Sequence, residues 1–172
     1  MIPIVATHTT WAPPHNPWYK VNVDGTVFQH LEAVGVGVIA QDHARQCVVA
    51  MSKKLWVPLS PLEVEAKAME ERIDFAWDVG IWDVVFETNS EVLHKALMGS
   101  ITPPATILNI ISSCLLRLQD FRSVQLTHVQ HNGNKPTHLL SQYAKNLETF
   151  VTWIENNPTP IEFALTQDVL VF

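Results

Sequence analysis

Charge is scarce in this chain. Charged residues make up 16% of its 172 positions, and acids outnumber bases 17 to 11, for a formal net charge of −6. That balance excludes nucleic-acid binding through overall charge, so any such affinity must come from a local patch. The one adjacent basic pair, Lys53-Lys54, is too short for a recognition stripe. Cysteine is equally sparse: Cys47 sits in a strand-like run and Cys114 in a helix-like run, with no metal-ligand spacing around either. They read as buried free thiols of a reducing compartment, with a disulfide left open. No apolar stretch reaches the roughly 18–20 residues needed to cross a bilayer. The start, Met1-Ile2-Pro3-Ile4-Val5, has neither the basic flank nor the long apolar region of a signal peptide. The expectation is an intracellular protein, cytoplasmic or nuclear, with no membrane partner.

What is present is apolar residues, at 47% of the chain, enough to bury a full core in one domain. Residues 1–17 carry four prolines and read as an extended arm or linker, 18–163 as the folded domain, and 164–172 as a C-terminal tail. Three β-rich runs open the domain: Trp18 to Val23, Ala33 to Ala40 and Gln46 to Ser52, the last two joined by the polar turn Gln41 to Arg45. Ser60-Pro61-Leu62-Glu63 is a capping box with proline at the first helical position, and the helix it starts runs to about Asp78 before Gly80. Trp82 to Thr88 reads as a strand parallel to the first, and Ser90 caps a helix through Gly99. A helix over Ile107 to Leu118, a strand over Ser123 to Val129 and a final helix from about Lys135 to Glu148 complete the order β-β-β-α-β-α-α-β-α. That order predicts an α/β fold with a mixed five-stranded sheet, three antiparallel strands plus two added by crossovers, flanked by helices.

Asp24 closes the first of these runs and is followed by Gly25, a common way to hold a divalent cation at a sheet edge, and equally a common strand-ending turn. Glu65 lies in a helical pattern, Glu87-Thr88-Asn89-Ser90 closes a strand, and Asn134-Lys135-Pro136-Thr137-His138 opens the last helix. Eight histidines show no zinc spacing. The ring of His128 reads as a satisfied strand residue, and the tryptophans as core or tail packing.

Taken in order, Trp11-Ala-Pro-Pro, Lys20-Val-Asn22-Val-Asp24-Gly25, Gly35-Val-Gly37-Val, Glu65-Ala-Lys-Ala-Met, Glu87-Thr-Asn89-Ser90 and Asn134-Lys-Pro-Thr-His138-Leu139-Leu140 resemble plant ribonuclease H-like domains of the non-LTR reverse transcriptase type. The resemblance covers about Trp11 to Phe163. It implies a ribonuclease H-like fold and a site at which active members use clustered carboxylates and two Mg²⁺ ions to hydrolyse RNA in an RNA–DNA hybrid. By that resemblance Asp24 and Glu65 match the first two acidic positions, Asn89 replaces the third and His138 stands at the fourth. Asp24, Glu65 and Asn89 are then the metal ligands, and His131, in the turn before the last helix, is a candidate for proton transfer or product release. Gly25, Ser90 and Asn134 are candidates for nucleic-acid contact.

Two divalent cations bring +4, and Asp24 with Glu65 supplies −2, so Mg²⁺ or Mn²⁺ should bind weakly and two-metal occupancy is doubtful. An amide offers oxygen without charge, and imidazole suits Mn²⁺ better than Mg²⁺. Glu87, two residues before Asn89 on the same strand face, is a possible substitute acid. The leading expectation is a nucleic-acid-binding domain with a degenerate two-metal site. The alternatives are an active ribonuclease on RNA–DNA hybrids, and a protein-interaction domain with a vestigial cleft.

Overall fold

The computed structural model describes residues 14–129 and 135–154. Strand β1 (Tyr19–Phe28) pairs antiparallel with β2 (Ala33–Gln41), which pairs antiparallel with β3 (Cys47–Leu55). Helix α1 (Pro61–Asp78) leads to β4 (Asp83–Thr88), which lies parallel to β1. Helices α2 (Glu91–Leu97) and α3 (Leu108–Leu118) precede β5 (Ser123–His128), parallel to β4. Helix α4 (Lys135–Tyr143) is followed by a last strand, β6 (Phe150–Ile154), antiparallel to β3. The sheet order is β5-β4-β1-β2-β3-β6.

Two expectations are corrected here. The sheet has six strands, because Phe150–Ile154 adds to the β3 edge, and the last helix stops at Tyr143, with a single 3₁₀ turn over Ala144–Asn146. The run Phe150-Val151-Thr152-Trp153-Ile154 is rich in aromatic and β-branched residues, so its strand form follows its composition once β3 offers an open edge. The arm before residue 14, the boundary at 163 and the tail at 164–172 lie outside the described residues.

Strand β2 is buried along its whole length, since helices cover both faces of the sheet around it. On one face Val36, Val38 and Ala40 meet the apolar side of α1, where Met69, Ile73 and Ala76 are buried. On the other, a smaller cluster of Ile39, Cys47, Ala50 and Leu140 joins the sheet to α4. Helix α1 begins as its sequence dictates: Glu63 N–H donates to Ser60 Oγ at 3.5 Å and Ser60 N–H to Glu63 Oε2 at 2.7 Å. No helix among the described residues is long and apolar enough to cross a membrane. Both cysteines are free and buried.

Candidate functional site

Strands β1 and β4 run together only as far as the pair Val21↔Phe86, then diverge. Beyond that point β1 continues to Phe28 on its bonds with β2, while β4 ends at Thr88. Asp24-Gly25 is therefore mid-strand, opposite Gly37 and Val36, and not the strand-ending turn that the dipeptide predicts. The fork between the strands opens a cleft of about 190 Å³ lined by Asp24, Gly25, Glu65, Arg72, Thr88 and Asn89, among others. Three separate elements thus bring Asp24, Glu65 and Asn89 to one cavity.

Glycine explains how α1 delivers Glu65. A Cβ on Gly25 would stand 2.5 Å from Val64 Cγ1, so only a hydrogen there lets the helix lie this close to β1. Gly25, expected to meet nucleic acid, is thus packed under α1. On the opposite face a Cβ on Gly37 would stand 2.3 Å from the Thr137 carbonyl oxygen and 2.5 Å from the Ser141 nitrogen. Helix α4 rests on that bare backbone. Ser141 Oγ donates to the His138 carbonyl at 2.8 Å and so must accept from Thr26 Oγ1, 2.6 Å away, which ties the helix to β1 two residues past Asp24.

The result is a direct contact: His138 Nδ1–H donates to Asp24 Oδ2 at 2.6 Å. The fourth expected position meets the first, but as a hydrogen-bond donor that occupies one carboxylate oxygen. Asn89 follows β4 in a turn held by Ser90 N–H donating to Thr88 Oγ1 (3.1 Å) and by His128 Nε2–H donating to the Asn89 carbonyl (3.3 Å). Ser90, expected at the nucleic acid, has its Oγ accepting Leu93 N–H at 3.2 Å as the cap of α2. His131 and Asn134 lie outside the described residues.

Glu87 is not a substitute ligand. Its carboxylate pairs with Lys20 at 2.9 Å, both side chains about 5% exposed, on the sheet face that carries Asn22 and Asp24. The larger surprise is Arg72, fully buried on α1. Its Nη1 donates to the Val21 carbonyl (3.2 Å) and the Glu87 carbonyl, and its Nε and Nη2 to Met69 Sδ at 3.2 and 3.0 Å. Burial pulls Arg72 down to about 9, so it stays charged at neutral pH. Sequence reasoning missed it, although the helical positions Glu65, Ala68, Met69, Arg72 and Ala76 place the arginine on the inward stripe.

Other cations are spent internally. Lys53 pairs with Glu71 (2.7 Å), Lys54 donates to the carbonyls of Lys145 and Leu147, Lys67 pairs with Glu70, Lys95 with Glu91, Arg117 with Asp74 and Arg122 with Asp83. With Lys20 and Arg72 these are eight of the eleven lysines and arginines. Among the described residues no three His, Cys, Asp or Glu side chains converge as a metal cluster. The donor set at the fork is two carboxylates, one of them hydrogen-bonded to His138, with a neutral amide and a buried guanidinium. Against the +4 of two divalent ions, that set supplies two anionic side chains.

A family model described as "Reverse transcriptase-like" matches residues 22–144. Among solved structures, the fold is similar to ribonuclease H1 of the halophilic archaeon Halobacterium salinarum NRC-1, with a TM-score of 0.68 and 18% identity over 75% of this chain and 98% of that one. It is also similar to LC11-RNase H1, isolated from compost and solved in complex with an RNA/DNA hybrid (TM-score 0.65, 15% identity, 74% and 96% covered). The N-terminal RNase H domain of rv2228c from Mycobacterium tuberculosis gives 0.64 at 14% identity, covering 75% of this chain and 94% of that one. No curated protein matches the sequence.

Proposed function

The chain belongs to the reverse transcriptase-like family, and from that premise we propose that it is a ribonuclease H-like domain that binds nucleic acid through a degenerate two-metal cleft, with hydrolysis weak or lost. The observation that carries this reading is the Asp24–His138 contact beside Asn89: the acid expected to bridge two cations is bonded to an imidazole, and its neighbour is an amide. The likeness to a ribonuclease H1 solved with an RNA/DNA hybrid supports that hybrid as the ligand class. With most cations paired internally, the binding is weak. On this reading the working unit is 18–163, flanked by an arm and a tail.

The test is cleavage of a labelled RNA–DNA hybrid in Mg²⁺ and in Mn²⁺. Any hydrolysis is slow, faster with Mn²⁺, and abolished by Asp24→Asn. Asn89→Asp raises it, and Asn89→Asp with His138→Asp raises it most. Turnover of about 1 s⁻¹ or faster by the unaltered protein in Mg²⁺ overturns the proposal in favour of a working ribonuclease.

One observation favours a second reading, the interaction domain. A groove of about 370 Å³ lies between the end of α1 and the β3–β6 edge, floored by Met51, Phe75 and Val79, with Phe150 more than half exposed beside it. An inert double variant that still fails to bind hybrid would move the weight to that face.

A further inference from the structure

We propose that Arg72 is the resident cation of the cleft: a guanidinium built into the strand fork that braces β1 against β4 and lowers the cleft's affinity for divalent cations. The proposal rests on the degenerate-site reading and gives it a cause beyond the missing acids.

Position comes first. The parallel ladder ends at Val21↔Phe86, and the two carbonyls that Arg72 Nη1 holds belong to Val21 and Glu87, at the point where the strands part. The side chain continues the ladder by other means, bridging strands that no longer bond to each other. Its Cζ also lies 5.3 Å from the Phe86 ring centroid, so the guanidinium is held from several sides.

Charge comes second. Among the described residues the guanidinium touches no carboxylate: its partners are two carbonyls and a thioether, which are dipoles and not counter-ions. Glu87 and the buried Cys114 are the acidic groups that act on its charge, and Lys20 already pairs with Glu87. A buried +1 is thus part of the wall of the cleft that Asp24 and Glu65 also line, in surroundings that screen charge poorly. The two carboxylates and the arginine sum to −1, less than one divalent ion needs. With Asn89→Asp the sum is −2, enough for one ion and not for two.

Mn²⁺ titration by calorimetry tests this, with circular dichroism to confirm folding. Arg72→Gln, which removes the charge and keeps donors, should bind Mn²⁺ about tenfold more tightly than the unaltered protein, or better. Arg72→Lys should stay close to the unaltered protein. A brace with no electrostatic role predicts the opposite sign, since loosening the fork would weaken binding. Unchanged or weaker affinity in a folded Arg72→Gln protein overturns the proposal. If that variant does not fold, Arg72→Met, which fills the same space beside Met69 and Phe86 without charge, decides by the same titration: tighter Mn²⁺ binding supports the resident cation, and unchanged or weaker binding overturns it. Hybrid cleavage by the unaltered protein is a separate readout, so a failure of the proposed function is told apart from a failure of this proposal.

Discussion

The two faces of the sheet are held by different physics. The α1 face is a broad apolar layer in which Met69, Ile73, Phe86, Ile111 and Leu126 are each buried almost completely, with Arg72 as its buried cation. The α4 face has a smaller apolar cluster, Ile39, Cys47, Ala50 and Leu140 with Leu139 and Trp153 packed against them, and around it run polar ties: Lys20 to Glu87, Asp24 to His138, Thr26 to Ser141, and Ser52 Oγ donating to the Leu140 carbonyl at 2.7 Å. Apolar packing tolerates small displacements, because its energy scales with area. Directional bonds between neighbours do not. Asp24 of the cleft and its partner His138 sit on the tightly indexed face, while Glu65 comes from the apolar one through the fork. A site of this kind needs both, one face for bulk stability and one for register.

The sharpest way to break that contrast is at the buried ion pair. Lys20→Met leaves the Glu87 carboxylate buried without its partner and should cost about 3–5 kcal/mol in a urea melt. Lys20→Met with Glu87→Met should recover most of it, because two apolar side chains of similar volume need no counter-charge. If the double variant stays as unstable as the single one, the polar face depends on this pair for more than charge balance.

Next in size is a comparison of two glycines. Gly37→Ala drives a methyl into the backbone of α4, where the Thr137 carbonyl cannot move without shifting the helix, and should cost about 1–3 kcal/mol. Gly25→Ala meets a methyl of Val64 instead, and the side chain can yield in part, so its cost should be smaller. The separation of effects is also local. Chemical shifts of His138 should move in the first variant and stay in the second, and the reverse result would mean that the faces are not independently indexed.

These contacts mark where the sequence could be read and where it could not. Helix α1 was legible because its start is encoded by adjacent residues, Ser60-Pro61-Leu62-Glu63, and the observed span Pro61–Asp78 follows. The parallel pairing of β4 with β1 was read from the helix through which the chain returns to the sheet after the first three strands. Strand β6 did not follow, since its pairing with β3 is a contact across about a hundred residues that no local pattern announces. Gly25 looked like a turn because Asp-Gly commonly is one; the structure uses its missing side chain to admit a helix. Four motifs named Asp24, Glu65, Asn89 and His138 as neighbours, and the first three line one cleft. That His138 would bond to Asp24, that Lys20 would take Glu87, and that Arg72 would close the fork depend on side-chain direction in three dimensions, which spacing along the chain does not carry.

The last comparison uses the two thiols, one in each apolar cluster: Cys114 on the α1 face and Cys47 on the α4 face. Burial pushes both up to about 12 from an ordinary 9.0. The folded chain then keeps both protons at pH values where the unfolded chain has lost them. Stability present below pH 9 is therefore lost as the pH rises toward 12, by about 1.4 kcal/mol per pH unit for each thiol. Replacing either cysteine by alanine should flatten that alkaline slope by about half. Labelling with a thiol reagent at pH 8 tells the faces apart, because reaction requires the covering layer to open. Cys47 lies in the smaller cluster under α4 and β6 and should label first, at a rate that Gly37→Ala increases, while Cys114 should follow global unfolding. Equal labelling rates for the two thiols would show that the faces open together, and the difference between bulk packing and indexed contacts would then describe only the static structure.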